Sequence, residues 1–260
     1  MSDFYWYLKD CDIFSYLSDD EIRILENESK TRDFRRGEPI YLPNEAADGV
    51  MLVTRGRVKI CHVTPEGKQS ILNFVDSGEL FGELALFGNL QRQEFAEAIE
   101  SSTLVLIPKS TMLRLMARHP HVNIGITKLI GTRRQRIERR LRNLLFRSNR
   151  ERVVHLLIEI AEKYGQRNAD GIELCVKLSH QEMASIIGST RETVTVMLGQ
   201  LQNEGIIQVN RRRITITDLQ KLSAEVSEPV TGIETKFGTG QHEHRPHFDR
   251  VKSIQGVDRQ

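Results

Sequence analysis

Two adjacent side chains in the C-terminal third of the chain, Arg191 and Glu192, have the chemistry to read DNA bases. An arginine can donate two hydrogen bonds to guanine, and a glutamate can accept one from the amino group of cytosine. Both lie in Ser189–Val194, where apolar residues begin to recur at helical spacing. In a helix laid into the major groove, the N-terminal side chains meet the base edges. The sequence therefore predicts a base-reading helix.

The preceding residues supply the second helix that a helix-turn-helix needs. Ser179 and Glu182 form an S-x-x-E capping box, which marks the start of a helix. Ser189 and Glu192 repeat this pattern further along the chain. Gly188 lies between the two predicted helices, where the chain must turn sharply and a positive φ is expected. The alternative is an ordinary pair of packed helices, but the two base-reading side chains favour a DNA-binding motif.

A hairpin is predicted after these two helices. Apolar residues alternate over residues 207–209 and 214–216, which indicates two short strands joined by a tight turn. Arg211 and Arg212 lie at the predicted tip, where their charges can contact DNA phosphates. A helix-turn-helix followed by such a hairpin is a winged helix.

A long helix is predicted over residues 121–147. Its apolar residues recur on one narrow face for several turns: Ile126, Ile130, Ile137, Leu141, Leu144 and Leu145. A seam of this kind usually packs against a partner helix, and a second copy of the chain is the simplest partner. The alternative is a helix that lies along its own domain. Arg133 and Arg140 interrupt a strict heptad and exclude a long, regular coiled coil.

The chain before this helix is predicted to be rich in strands. Between Thr31 and Lys109, apolar stretches alternate with turn residues about every 8–12 positions, which is typical of a β-sandwich or β-roll. Residues 4–30 are predicted to be helical, with Ser18 as a helix N-cap. The fold class is therefore α+β.

The C-terminal half is predicted to contain further short elements. A helix over residues 152–164, a loop over 165–171 and a strand over 172–178 precede the DNA-binding helices. Apolar content falls after residue 222, which predicts a disordered tail. The predicted organisation is a sensor domain over residues 1–118, a dimerisation helix over 119–147, a winged helix-turn-helix domain over 148–222 and a tail over 223–260.

The composition favours a cytoplasmic DNA-binding protein. The net charge is only +2, but residues 133–152 carry nine arginines and residues 3–29 carry eight acidic side chains. The basic surface is therefore local. The three cysteines are widely spaced, which argues against a disulfide framework or a four-cysteine metal site. No stretch is long and apolar enough to span a membrane. No catalytic constellation or phosphate-binding glycine motif stands out, so an enzyme is not expected.

The order of β-roll, long helix and winged helix resembles the bacterial catabolite-activator and fumarate/nitrate-regulator (Crp/Fnr) superfamily, over residues 10 to about 222. The segment Phe81–Leu86 is similar to the phosphate cassette of cyclic-nucleotide-binding domains, and Ser189–Val194 to the start of the family's recognition helix. Lys177–Gln181 is similar to the cyanobacterial nitrogen-control regulators. The resemblance implies a homodimeric transcription regulator that binds two-fold double-stranded DNA and contacts RNA polymerase.

The resemblance also implies roles for individual residues. Arg191 and Glu192 match positions that read a G·C-containing core, and Thr193 matches a position that contacts phosphate. Val196 stands where the family usually has a third reader, an arginine. The residues expected to contact DNA are Ser179, His180, Gln181, Thr190, Arg191, Glu192, Thr193, Val196, Arg211 and Arg212.

The same resemblance places an effector pocket in the β-roll. Glu83 matches a glutamate that holds a ribose hydroxyl, although it could instead bind the backbone amides of its own turn. Arg92 matches the phosphate-binding arginine only with a one-residue gap. On the long helix, Ile137 and Glu138 replace hydroxyl side chains that contact adenine. The expected pocket residues are Phe81, Gly82, Glu83, Leu84, Ala85, Arg92, Gln93, Ile137 and Glu138.

The effector is unknown or dispensable, because residues 94–98 are similar to family members whose sensor pocket is collapsed, altered or unused. Glu94 would repel a phosphate beside Arg92, and it stands where the nitrogen-control regulators bind 2-oxoglutarate with an arginine. Cyclic AMP is therefore possible but not favoured, and 2-oxoglutarate is not supported. Haem is a third candidate because of Cys61 and His62. Adjacent residues of a strand point to opposite faces, so both cannot bind one iron, and a buried, inert cysteine is favoured.

Two other functions compete with a sequence-specific regulator. The first is a cyclic-nucleotide receptor that acts through protein contacts alone, and the predicted winged helix argues against it. The second is an architectural protein that binds DNA without regard to sequence. The base-reading chemistry of Arg191 and Glu192 favours specific binding over this second alternative.

Overall fold

The computed structural model describes residues 8, 11, 13–65, 67, 69–88, 91–210 and 213–226. It forms two compact units, the first made of residues 1–156 and 178–200, the second of residues 157–177 and 201–260. The helices are α1 (Asp19–Glu28), α2 (Lys109–Arg118), α3 (Pro120–Phe146), α4 (Asn149–Tyr164), α5 (His180–Ile187), α6 (Arg191–Asn203) and α7 (Leu219–Ala224), with a 3₁₀ helix over Glu83–Phe87. None of the helices in these ranges has the length and apolarity to cross a lipid bilayer.

The strands are antiparallel and form three sheets. Their bounds are β1 (Lys30–Phe34), β2 (Pro39–Tyr41), β3 (Gly49–Arg55), β4 (Arg57–Val63), β5 (Gln69–Asp76), β6 (Leu80–Phe81), β7 (Phe95–Ala98), β8 (Ser102–Pro108), β9 (Gly165–Asn168), β10 (Gly171–Leu174), β11 (Ile207–Asn210) and β12 (Arg213–Ile216). The first unit holds the sheets β1-β8-β3-β6 and β2-β7-β4-β5, and the second holds β11-β12-β10-β9. The predicted β-roll and the α+β fold class are confirmed.

The first helix is shorter than predicted. Residues 13–17 form turns, so the helix predicted over residues 4–30 is wrong there. Ser18 is the N-cap of α1, and its hydroxyl accepts from the Glu21 amide while the Glu21 carboxylate accepts from the Ser18 amide at 3.0 Å. This capping box starts the helix at Asp19 because it satisfies the amides of the N-cap and of the first turn, which have no partner within the helix.

The β-roll has two apolar layers because successive residues of a strand point to opposite sides. Leu52 of β3 pairs with Val105 of β8, and both pack against the helices. The next pair, Val53 with Leu104, packs into the space between the two sheets. The sheet β1-β8-β3-β6 therefore contributes side chains to both layers, one layer on each of its faces.

The first half of α3 packs against the β-roll of its own chain. Pro120 begins the helix, as its fixed φ and missing amide hydrogen favour. Ile126 is completely buried in the core beside the β-roll, and Ile130 packs against that core. The prediction that Ile126 contributes to a dimer seam is therefore wrong, because its side chain is already covered within one chain.

The two arginines that interrupt the heptad face the β-roll. Arg133 donates to the carbonyl oxygen of Leu80 at 2.5 Å, and Arg140 donates to that of Leu72 at 2.7 Å. They hold α3 against β5 and β6 by binding backbone carbonyls of these strands. In the C-terminal half of the helix, five large apolar side chains are exposed: Ile137, Leu141, Leu144, Leu145 and Phe146.

The second unit contains a strand that the sequence did not indicate. The predicted loop over residues 165–171 begins with β9, which pairs with β10 and leaves its last three residues exposed. An exposed edge strand lacks the alternation of apolar and polar residues from which a strand is predicted. The strand predicted over residues 172–178 ends at Leu174.

The predicted hairpin is confirmed by the pairing of β11 with β12. The predicted arginine tip, Arg211 and Arg212, lies outside the described residues, as does the tail from residue 227 onward. Residues 223–224 belong to α7, where the Asp218 side chain caps the helix by accepting from the Lys221 amide at 2.9 Å. The predicted disorder is therefore wrong for the start of the tail.

Candidate DNA-reading helix and effector cavity

The two short helices have the predicted turn but a different second cap. Ser179 caps α5 with its hydroxyl, and the Glu182 carboxylate completes the capping box. At α6, the amide of Thr193 donates to the hydroxyl of Thr190 at 3.2 Å. The capping box predicted at Ser189 and Glu192 is therefore wrong. The Ser189 amide is bonded back to the Ala184 carbonyl, so the chain enters α6 one residue later.

Gly188 ends α5 in the left-handed conformation, with φ 65° and ψ 44°. Its amide donates to the Ala184 carbonyl, which satisfies one of the free carbonyls at the end of the helix. A Cβ at this position would also lie 2.6 Å from Cδ2 of Leu144. The sharp turn that separates the two helices therefore requires glycine, as predicted.

We expect Gly188→Ala to lower the free energy of unfolding by about 1–2 kcal/mol, because an L-residue is strained in this conformation. Thermal unfolding followed by circular dichroism measures the change. Gly199→Ala is the matched control: Gly199 lies inside α6 with nothing within 4 Å of an added Cβ. That substitution should raise stability by about 0.5–1 kcal/mol. Equal effects of the two substitutions would contradict the turn assignment.

The exposed face of α6 carries the residues predicted to read bases. Arg191 and Glu192 occupy its first turn and are exposed. Neither side chain forms a hydrogen bond or an ion pair with another residue of the described chain. Val196, one turn further along, is 54% exposed, whereas Val194 on the opposite face is buried. The face of α6 with Arg191 and Glu192 is thus open to a partner, while the face with Val194 packs against the protein.

Several other predicted DNA contacts also have structural tasks. The Ser179 and Thr190 hydroxyls cap helices, and the Thr193 hydroxyl bonds to that of Thr190 at 2.9 Å. The ring nitrogen Nδ1 of His180 lies 2.8 Å from the hydroxyl of Thr195, which links α5 to α6. Gln181 is exposed. These contacts fix the helix pair, and the exposed Arg191 side chain remains available to DNA.

A cavity of about 270 Å³ lies within the first unit, between the β-roll and α3. Of the nine residues predicted for the effector pocket, five line it: Gly82, Glu83, Leu84, Ile137 and Glu138. Phe81 and Ala85 are buried without lining the cavity, and Gln93 is exposed. The prediction is wrong for these three residues: the side chains of Phe81 and Ala85 are packed in the protein interior, and that of Gln93 is exposed without lining the cavity.

Arg92 does not line the cavity either. Its buried guanidinium donates to the carbonyl oxygens of Gly82 at 3.1 Å and Gly49 at 2.7 Å. It also lies 4.6 Å above the ring of Tyr41. Gly82 has a positive φ, and a Cβ there would lie 2.5 Å from the Arg92 Nη1 atom. Arg92 therefore supports the cassette turn, and its predicted role as a phosphate-binding group is wrong for this arrangement.

The charged wall of the cavity is largely paired within the protein. The buried Glu83 carboxylate forms an ion pair with Arg133. Among the described residues no backbone amide of its own turn donates to Glu83, so that predicted role is wrong, while the ribose contact stays a prediction. Arg134 binds Glu138 at 2.8 Å, and Arg136 donates to the side-chain oxygen of Asn73.

Glu94 differs from the other acidic residues of the cavity wall. It is half-buried and forms no hydrogen bond or ion pair with any described residue. Burial raises the pKa of Glu94, and the charge of Glu83 raises it further, against smaller opposing effects of Arg133 and Arg92. The nearby Tyr41 hydroxyl is buried and has no hydrogen-bond partner in the described chain. Burial, and then the charge of Glu94, raises the pKa of Tyr41.

Sequence reasoning missed the arginines of the cavity wall. Arg133 follows Ile130 by about one helical turn, so the helical period could have placed it beside the pocket, whereas Arg136 lies about 120° around the helix from Ile130. The interpretation of Arg133 as an interruption of the heptad conceals this role, and the sequence analysis expects no role for Arg136. The haem candidates behave as expected for a structural strand: Cys61 is buried, burial raises the pKa of its thiol to about 11, and His62 is exposed.

Comparisons with known proteins identify both domains. The family profile of the cyclic nucleotide-binding domain matches residues 31–119, and that of the Crp-like helix-turn-helix domain matches residues 151–225. The global nitrogen regulator of Synechococcus elongatus is 30% identical over 196 residues, which cover 75% of this chain and 88% of that protein. A CRP-like cAMP-activated global transcriptional regulator of Mycobacterium tuberculosis is 25% identical and covers 81% of this chain and 94% of that protein.

Solved structures give the same result. A Crp/Fnr-family transcriptional regulator from Thermus thermophilus is similar with a TM-score of 0.64 and 29% identity, covering 76% of this chain and 99% of that one. A CooA mutant from Carboxydothermus hydrogenoformans has a TM-score of 0.68 and 26% identity, covering 78% and 89%. With a cyclic-nucleotide-binding-like β-roll followed by a DNA-binding helix-turn-helix, this chain belongs to the Crp/Fnr family of transcription regulators.

Proposed function

We propose that the protein regulates transcription as a homodimer that binds a two-fold DNA operator and reads one half-site with each α6. The observation that carries this proposal is the exposure of Arg191 and Glu192 at the start of α6, without a partner in the described chain. Arginine and glutamate at this end of a recognition helix can bond guanine and cytosine. Val196 can make only apolar contact, for instance with a thymine methyl group.

The proposed organisation follows the sequence-based boundaries. Residues 1–118 form the sensor, residues 119–147 the dimerisation helix, and residues 148–222 the DNA-binding domain. Contact with RNA polymerase and a cytoplasmic location follow from action on bacterial promoters. The exposed apolar residues of α3, from Ile137 to Phe146, support dimerisation because a surface of this kind is costly to leave in water.

The effector is proposed to differ from that of the cAMP-activated relative. A cyclic nucleotide brings a phosphate anion, which needs an available cation. Arg92 binds backbone carbonyls and Arg133 binds Glu83. The half-buried Glu94 adds repulsion in a partly dry cavity, where charges interact strongly. The residues present therefore do not fit a cyclic nucleotide.

Selection from randomised double-stranded DNA tests the function directly. The full-length protein should enrich a two-fold motif with a G·C pair in each half-site and relaxed or A·T-rich preference where Val196 faces. The half-site centres should lie about one helical turn apart. A gel shift with a scrambled operator separates this protein from an architectural binder. Equal affinity for the selected and scrambled sequences would refute the proposed function.

A further inference from the structure

The cavity beside α3 has an apolar body and a polar end. Ile60, Leu72, Leu84, Ile130 and Ile137 contribute apolar side chains to its wall. Its volume of about 270 Å³ lies near the lower end of the range of about 300–1,000 Å³ for small-molecule sites. A compact, largely apolar molecule therefore matches its size and lining.

The cations of the wall are already bonded to protein groups. Arg133 binds the Glu83 carboxylate and the Leu80 carbonyl, Arg134 binds Glu138, and Arg136 binds the side-chain oxygen of Asn73. An anionic ligand would have to displace these bonds. Removing Arg133 from the buried Glu83 would leave a carboxylate uncompensated, which is strongly unfavourable.

Glu94 is the acidic group of the wall that lacks a partner in the described chain. A carboxylate held partly away from water, without a donor, is costly. The buried Tyr41 hydroxyl, which is 4% exposed by residue, also lacks a hydrogen-bond partner in that part of the chain. Of these two groups only Glu94 lines the cavity, so its carboxylate is the group at the polar end that can accept from a bound donor.

We propose that this cavity binds a small apolar amine, whose ammonium group pairs with Glu94 and whose apolar body contacts the isoleucines and leucines of the wall. This inference deepens the proposed function, because the cavity lies in the proposed sensor of the regulator. The ammonium ion supplies both the positive charge and the hydrogen-bond donors that Glu94 lacks. A carboxylate or phosphate of the same size would meet the repulsion of Glu94.

Four probes with the full-length protein test the ligand class: phenylbutylamine, phenylbutanol, phenylbutyric acid and cyclic AMP. Their binding is measured by titration calorimetry and by the shift in thermal unfolding midpoint, up to millimolar concentration. The amine should bind at least about tenfold more tightly than the acid with the same carbon skeleton, since one ion pair at a half-buried site is worth about that factor. Cyclic AMP should produce no shift.

Variants of the wall test the contact itself. Glu94→Gln keeps the size of the side chain and should weaken amine binding about tenfold or more. Glu97→Gln is the matched control, because Glu97 lies on β7, pairs with Lys59 at 3.2 Å and does not line the cavity. It should leave amine binding unchanged.

Four outcomes would overturn the proposal: no binding of the amine, tighter binding of the acid or of cyclic AMP, equal binding of the alcohol and the amine, or an unchanged amine affinity in Glu94→Gln. Binding of the selected operator is measured on the same samples. Intact operator binding without amine binding would refute the amine site alone, whereas loss of sequence-specific DNA binding in the wild-type protein would refute the proposed function.

Discussion

We expect Leu141→Glu to convert the protein from a dimer to a monomer at micromolar concentration. Leu141 lies between Ile137 and Leu144 on α3, and the three side chains are 54%, 55% and 41% exposed in the single chain. Burying a leucine contributes about 1.5–3 kcal/mol, and a two-fold interface loses this contribution from both copies. Placing two carboxylates in an apolar seam adds a further desolvation cost. The dimer dissociation constant should therefore rise by at least about a hundredfold.

Light scattering during size-exclusion chromatography measures the molecular mass, and circular dichroism reports whether the variant is folded. Ile124→Glu is the matched control: Ile124 is 51% exposed on the same helix and lies about 140° around it from Ile137. That variant should remain dimeric. A folded Leu141→Glu variant with the mass of a dimer would place the interface elsewhere. The monomer should also lose its preference for two-fold over half-site DNA.

The long helix shows what apolar spacing can and cannot predict. The periodic pattern gave the helix and its apolar residues, but it cannot say which neighbour covers them. Ile126 is buried against the β-roll, whereas Leu141 is exposed. Ile126 belongs to the core cluster beside the β-roll, whereas Leu141 lies about 100° around the helix from Arg140, whose guanidinium binds the β-roll. A side-chain hydrogen bond between residues distant in sequence leaves no periodic signal.

The β-roll and the helix-turn-helix were predictable because their signals are local. Gly188, the Ser179 capping box and the alternation in β3 depend on neighbours within a few residues. The N-cap of α6 could not be predicted, since Ser189 and Thr190 both have a hydroxyl that can cap a helix. The hydrogen bond from the Ser189 amide to the Ala184 carbonyl decides between them.

The cavity could be predicted in position but not in chemistry. The resemblance of Phe81–Leu86 to the phosphate cassette located it, and the same resemblance placed Ile137 there. Arg92 resembled a phosphate ligand in sequence, yet its guanidinium binds the carbonyls of Gly49 and Gly82. Only the three-dimensional pairing shows that Arg133 neutralises Glu83 and that Glu94 is left without a partner among the described residues.

The largest effect on DNA recognition is expected from Arg191→Ala. Loss of a bidentate arginine–guanine contact should weaken the free energy of binding by about 1–3 kcal/mol in each half-site. It should also remove most of the preference for guanine at one position. Affinity for random DNA should change much less, because phosphate contacts by other basic residues supply it. The protein itself should remain stable, since Arg191 is exposed and its side chain bonds to no described residue.

Two further variants separate base reading from simple attraction to DNA. Arg191→Lys keeps the positive charge but removes the planar fork, so it should retain affinity for random DNA and still lose most of the guanine preference. Arg212→Ala, at the predicted hairpin tip, should weaken binding to all sequences alike and reduce the salt dependence by about one phosphate contact. Binding to the selected operator and to its scrambled counterpart is measured at two salt concentrations. If Arg191→Ala weakens both sequences equally, α6 is not the reading helix, because a base contact must distinguish between them.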